Sequence, residues 1–162
     1  MVLQRKIKPS QPTRRDHMLL QLNRGVQQLL DSFEPPKDGS KRISRLVAGN
    51  RLLAVQQFPL PDRFLPKDNV NLVVDLDPVP GAPPKGFFII EKDNRSTIDA
   101  ISAALGGHLF NAETAPYDTP KFKGGIWICH HYAGHTWKFN ANNPAAGDNI
   151  AKFLETFYAR IM

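Results

Sequence analysis

The chain has 162 residues, 41% hydrophobic and 22% charged, with one cysteine and a formal net charge of +6. That length suffices for one domain with its own core, and a lone cysteine excludes an internal disulfide and suits a reducing compartment. No apolar run approaches the roughly 18 residues of a membrane span, and no signal-peptide core precedes a small-residue cleavage site, so a cytoplasmic protein with no membrane contact is expected.

The positive charge is concentrated at the start. Arg5, Lys6, Lys8, Arg14 and Arg15 fall in the first fifteen residues, where no acid occurs. Residues 1–15 read as a basic flexible arm and 16–162 as a single domain of nearly balanced charge. Such a body lacks the broad positive face of a nucleic-acid binder, which argues against that partner. Pro9 and Pro12 break any amphipathic targeting helix in the arm.

From Asp16, a suitable N-cap, the spacing predicts a helix: Leu19, Leu22, Val26, Leu29, Leu30 and Phe33 share one face, and Pro35-Pro36 stops it. Gly25 in its middle costs about 1 kcal/mol against Ala and marks a close packing contact. Ile43–Val47 and Leu52–Phe58 read as strands around a Gly49-Asn50 tip. Val70–Leu76 alternates, which argues a strand with one wet face. The proline-dense stretch 78–84 is an extended loop, and Gly86–Ile90 is a strand apolar on both faces. A short helix starts near Ser96 and stops at Gly106-Gly107. His108 to Gly125 looks irregular, and loops of that length are often functional. A last helix carries Ile150, Phe153, Leu154, Phe157, Tyr158 and Ile161, starting at Asp148 or Asn149. The class is α+β: an N-terminal helix, an antiparallel meander of three to four strands, a long active-site loop and a C-terminal helix.

The chemistry converges on Gly124-Gly125-Ile126-Trp127-Ile128-Cys129-His130-His131-Tyr132, continuing to His135 and Trp137. If the apolar segment is extended, Cys129 and His131 share a side and His130 points away, structural or solvent-facing. An imidazolium beside a thiol raises the thiolate fraction that attacks an acyl carbon, and His135 joins the cluster. Three other readings stay open. A buried free cysteine is commonly an inert small hydrophobe. Cys129, His131, His135 and His108 form a conceivable zinc set, although no Cys-x-x-Cys pair supports it. Cys129 with His131 or His135 as base also suits a hydrolase, without a recognised nucleophile signature.

Ile128-Cys129 with Trp137 eight residues on resembles the active-site segment of the ubiquitin-conjugating enzymes. The order also agrees: a first helix, a strand meander, and a proline-rich connection (Pro78 to Pro84) between the strands of Leu72–Leu76 and Phe87–Ile90. The His-Pro-Asn tripeptide of eukaryotic members is missing, with Asn111 the nearest stand-in. Lys138-Phe139 follows the tryptophan where Ser-Pro is usual, and only one closing helix fits after it. With histidines just after the cysteine, the chain is similar to the divergent bacterial branch, whose members accompany a ubiquitin-like protein, an activating enzyme and a deubiquitinating peptidase and include antiviral-defence systems. The resemblance implies that Cys129 takes the modifier's C-terminal glycine as a thioester and passes it to an amine. It implies His131 and then His135 as polar partners of the thiol, Asn140, Asn142 or Asp148 as orienting groups for the amine, and Trp137 as packing that fixes the loop. It implies no cofactor and no metal. Some relatives lack the cysteine, so a non-catalytic scaffold of the same fold is the alternative.

Overall fold

Helix α1 spans Arg14–Asp31 in the computed structural model, which describes residues 13–90, 95–106, 109–111, 125–130 and 136–162. Its cap is Thr13, not Asp16. The Thr13 hydroxyl accepts from the Asp16 amide, and the Asp16 carboxylate accepts from the Thr13 amide. This capping box satisfies two donors at once, where Asp16 alone would satisfy one. The helix therefore starts earlier than expected, and Arg14 and Arg15 belong to its first turn. The Arg15 guanidinium donates to Leu76 O at 3.0 Å. Residues 1–12 of the expected arm lie outside the described residues. Leu19, Leu22, Val26 and Leu30 are buried, as their spacing requires. Gly25 makes no close contact: a Cβ there would meet nothing within 4 Å.

Six strands form one sheet: β1 Ile43–Val47, β2 Leu52–Pro59, β3 Asn69–Asp75, β4 Gly86–Ile90, β5 Leu109–Asn111 and β6 Gly125–Cys129. Their order is β1-β2-β3-β4-β6-β5, and every neighbouring pair is antiparallel. The first four are the expected meander. The expected total of three to four was too low, because β5 and β6 fall in or beside the stretch read as irregular. A three-residue strand is too short for its period to register, and β6 is apolar on both faces. A bulge in β2 lets Val55 pair with Leu72 and Phe58 with Val70. The extra residue, with Gln57 at φ 58°, keeps both Val55 and Phe58 on the core side.

One face of the sheet carries Leu53, Val55, Phe58, Leu72, Val74, Phe87, Ile89, Ile126 and Ile128 against α1 and the closing helix α3, Ile150–Ile161. Phe87 and Phe157 meet edge to face, with centroids 4.6 Å apart. Helix α2, Arg95–Ala104, adds Ile98 and Ile101. Burying each of these large side chains contributes about 1.5–3 kcal/mol. The opposite face holds a second cluster of Leu52, Val73, Phe88 and Trp127. The wet face expected on β3 survives only at Asn69 and Asn71, which are half-buried; Val73 and Asp75 on that face are buried. Asn149 caps α3, its Oδ1 accepting from Lys152 N. Among the described residues no helix is long and apolar enough to cross a membrane.

Candidate functional site

Cys129 is the last residue of β6, half-buried, and its Cα partner on β4 is Gly86. Alternation along β6 puts Ile126 and Ile128 into the helix-side core and Trp127 and Cys129 on the opposite face. The thiol thus packs at the margin of the cluster formed by Leu52, Val73, Phe88 and Trp127. Gly86 makes that approach possible. A Cβ on it would stand 2.1 Å from Ile128 O and 2.9 Å from Trp127 Cζ2, so any side chain would drive β4 from β6.

A row of residues crosses the sheet at this level. Leu52 pairs with Asp75, and one further step along the register of Val74 with Phe87 sets Asp75 beside Gly86. Asp75, Gly86 and Cys129 therefore share a row and a face. Strands about 4.8 Å apart put the Asp75 and Cys129 Cα atoms about 10 Å apart. Asp75 is 2% exposed. Burial raises its carboxyl above the usual value, opposed by the Asp77 amide at 3.0 Å and by the charges of Arg51 and Lys85; the Asp77 charge adds to the rise. The sequence reading missed Asp75. Its signal was the alternation of β3, which puts Asn71, Val73 and Asp75 on one side; the β4–β6 pairing that brings Cys129 into that row is a tertiary fact.

His130 points to the other face, as the alternation predicts, and its place there is structural. The solvent-facing alternative is excluded, since the ring is 0% exposed. Its Nδ1 lies 3.0 Å from Arg160 Nη1, and its Nε2 lies 3.1 Å from Phe153 O. A guanidinium has only donors, so Nδ1 accepts and Nε2 carries the proton it gives to the carbonyl. His130 is a neutral imidazole in one tautomer. The His130 amide donates to Lys85 O, and Arg160 also donates to Leu105 O. The residue after the cysteine is thereby fastened to β4, to α3 and to the end of α2.

The Trp137 indole donates to Pro80 O at 2.7 Å. That bond joins the segment after the cysteine to the proline-rich connection, and Trp137 is half-buried rather than a core residue. Asn140 Oδ1 accepts from the Asn142 and Asn143 amides, both at 3.0 Å, and so organises its own turn. Asp148 Oδ2 accepts from Lys138 N at 2.6 Å, and its amide donates back to Lys138 O. These bonds close the 138–148 loop over Gly147, where a Cβ would stand 2.6 Å from Asn140 N. Asn142 is exposed and lines a cavity with Arg14, His17, Pro80 and Phe139. Of the orienting candidates, Asn140 and Asp148 have these oxygens engaged by loop amides, while Asn142 faces solvent.

His131, His135 and His108 lie outside the described residues. Among the described residues no three His, Cys, Asp or Glu side chains are grouped to hold a metal ion. What the described residues assemble on the thiol's face is a carboxyl, a closely packed glycine and an indole. A half-buried thiol at the end of a strand has the sulfur nucleophile that attack on an acyl carbon requires. Comparison with protein-family models, with curated proteins and with solved structures found no match.

Proposed function

We propose that the chain is an acyl carrier of the ubiquitin-conjugating type, in the manner of the bacterial branch it resembles. Cys129 accepts the C-terminal carboxyl of a ubiquitin-like protein from an activating enzyme as a thioester and transfers it to an amine. The observation that carries this reading is the bond from Trp137 to Pro80 O. Two separate stretches of the resemblance, the Cys129–Trp137 segment and the proline-rich connection, are physically joined by it. The half-buried thiol beside the side-chain-free Gly86 supports the same reading. A scaffold of the same fold is the second reading, favoured by the contact of Cys129 with the cluster of Val73, Phe88 and Trp127.

The test combines the purified chain with the ubiquitin-like protein and activating enzyme encoded beside it, and with ATP. A gel-shifted adduct removed by reducing agent and missing in Cys129→Ala is expected. An adduct that persists in Cys129→Ala sinks the thioester assignment, and no adduct on the wild type selects the scaffold.

A further inference from the structure

Strand β1 ends the sheet, so one of its sides has no strand beside it among the described residues. Its outward hydrogen-bonding groups include Arg42 O and the Ser44 amide, which flank Ile43, and one side chain of α1 takes both. Gln27 Nε2 donates to Arg42 O and Gln27 Oε1 accepts from the Ser44 amide, each at 2.9 Å. A carboxamide carries the donor and acceptor of a peptide group, so Gln27 stands where the backbone of an added strand would stand. Asn23 completes the cover, its Oδ1 accepting from Ser44 Oγ at 2.6 Å.

Covering an exposed edge is an ordinary defence against unwanted pairing. Here the cover lies beside features that defence alone does not need. A cavity of about 480 Å³ opens next to Gln27, with apolar walls from Leu30, Phe33, Pro35, Pro36 and Ile43. Ile43 is 39% exposed. Residues 41–47 carry Lys41, Arg42 and Arg45 and no acid. Lys41 and Arg45 are exposed and form no ion pair among the described residues. Asp31, which lines the same cavity, has Oδ1 engaged by Gln27 Nε2 at 3.0 Å. A second copy of the chain is a poor occupant of this edge. Antiparallel pairing about Ile43 sets Lys41 of one copy against Arg45 of the other, and like charges directly opposite destabilise a strand pair.

An extended peptide adds to a sheet edge through main-chain bonds, with a pocket beside the ladder to select a side chain. We propose that the β1 edge docks an acidic extended segment of another protein, for which Gln27 is the resident substitute. The incoming backbone takes over Arg42 O and the Ser44 amide. An apolar side chain of the segment enters the cavity, and its carboxylates face Lys41 and Arg45. Two amide hydrogen bonds are exchanged for two of the same kind, so displacing Gln27 costs little. The site is separate from Cys129 and does not rest on the acyl-carrier reading.

The test is fluorescence anisotropy of the full chain with the fluorescein-labelled peptide EVTVEVD and, as control, its lysine counterpart KVTVKVK. Saturable binding of the acidic peptide alone is expected, with the Gln27 side-chain and Ser44 backbone amide signals shifting in an NMR titration of the wild type. Gln27→Ala removes the competitor and should tighten binding about tenfold. Lys41→Glu together with Arg45→Glu should weaken it about tenfold. Equal binding of the two peptides, no loss on charge reversal, or NMR shifts confined to residues away from β1 overturns the proposal. Should Gln27→Ala fail to fold, the wild-type titration and the charge reversal decide. A Gln27→Ala chain that dimerises in sedimentation and binds no peptide gives the edge to a second copy and overturns the acidic partner.

Discussion

At the scale of single residues, the row through Asp75, Gly86 and Cys129 makes two measurable demands. Asp75 is buried with its carboxyl raised above its ordinary value. A carboxyl whose folded value exceeds its unfolded one favours the folded state most at low pH, and that advantage is lost as pH rises through the folded value. Asp75→Asn keeps an oxygen to accept from the Asp77 amide and removes the titration. The variant should gain on wild type as pH rises above the ordinary value of 3.8, in urea unfolding series from pH 3 to 7. A stability difference that does not change with pH counts against a strained buried carboxylate. Gly86→Ala meets a carbonyl oxygen and an indole ring that belong to the sheet itself, so a loss of at least about 1–3 kcal/mol is expected, the range for overpacking. A variant as stable as wild type shows that β4 and β6 are free to part there.

At the scale of elements, the helices divide into capped ends and one weak middle. Asn149 accepts from Lys152 N and donates to Pro144 O and Gly147 O, so one side chain starts α3 and anchors the loop before it. Asn149→Ala should cost about 1–2 kcal/mol, read as a lower denaturation midpoint at unchanged slope. Gly25 is the opposite case. It lies inside α1 with open space where a Cβ would go, so Gly25→Ala should stabilise by about 0.4–1 kcal/mol. A destabilised variant reveals a contact on that side of α1. The periodicity of α1 and α3 was legible because each buries one stripe along its length. The α1 cap was misassigned to Asp16 because threonine and aspartate both serve, and only the reciprocal bonds decide between them.

For the molecule as a whole, Arg160 matters more than its place near the chain's end suggests. It reaches His130 Nδ1 and Leu105 O, tying α3 to the residue after the cysteine and to the end of α2. Arg160→Met should lower stability by about 1–3 kcal/mol, since it removes the guanidinium bonds to a buried imidazole and to Leu105 O. It should also speed reaction of Cys129 with a disulfide reagent. Unchanged thiol reactivity in a destabilised variant separates the anchoring of α3 from the positioning of the cysteine.

The sequence by itself determined three things: the helix stripes, an antiparallel meander of three to four strands and the side of the chain from which His130 departs. Each follows from a local period or from strand alternation, which neighbours in sequence suffice to set. Cys129 stood out because its type is unique here, and its setting did not. That β6 joins β4 across α2 and β5, that Gly86 pairs with Cys129, and that Asp75 shares its row were decided by tertiary pairing alone. Strand partners distant in sequence are chosen by which faces can be buried together, and no local pattern records that choice.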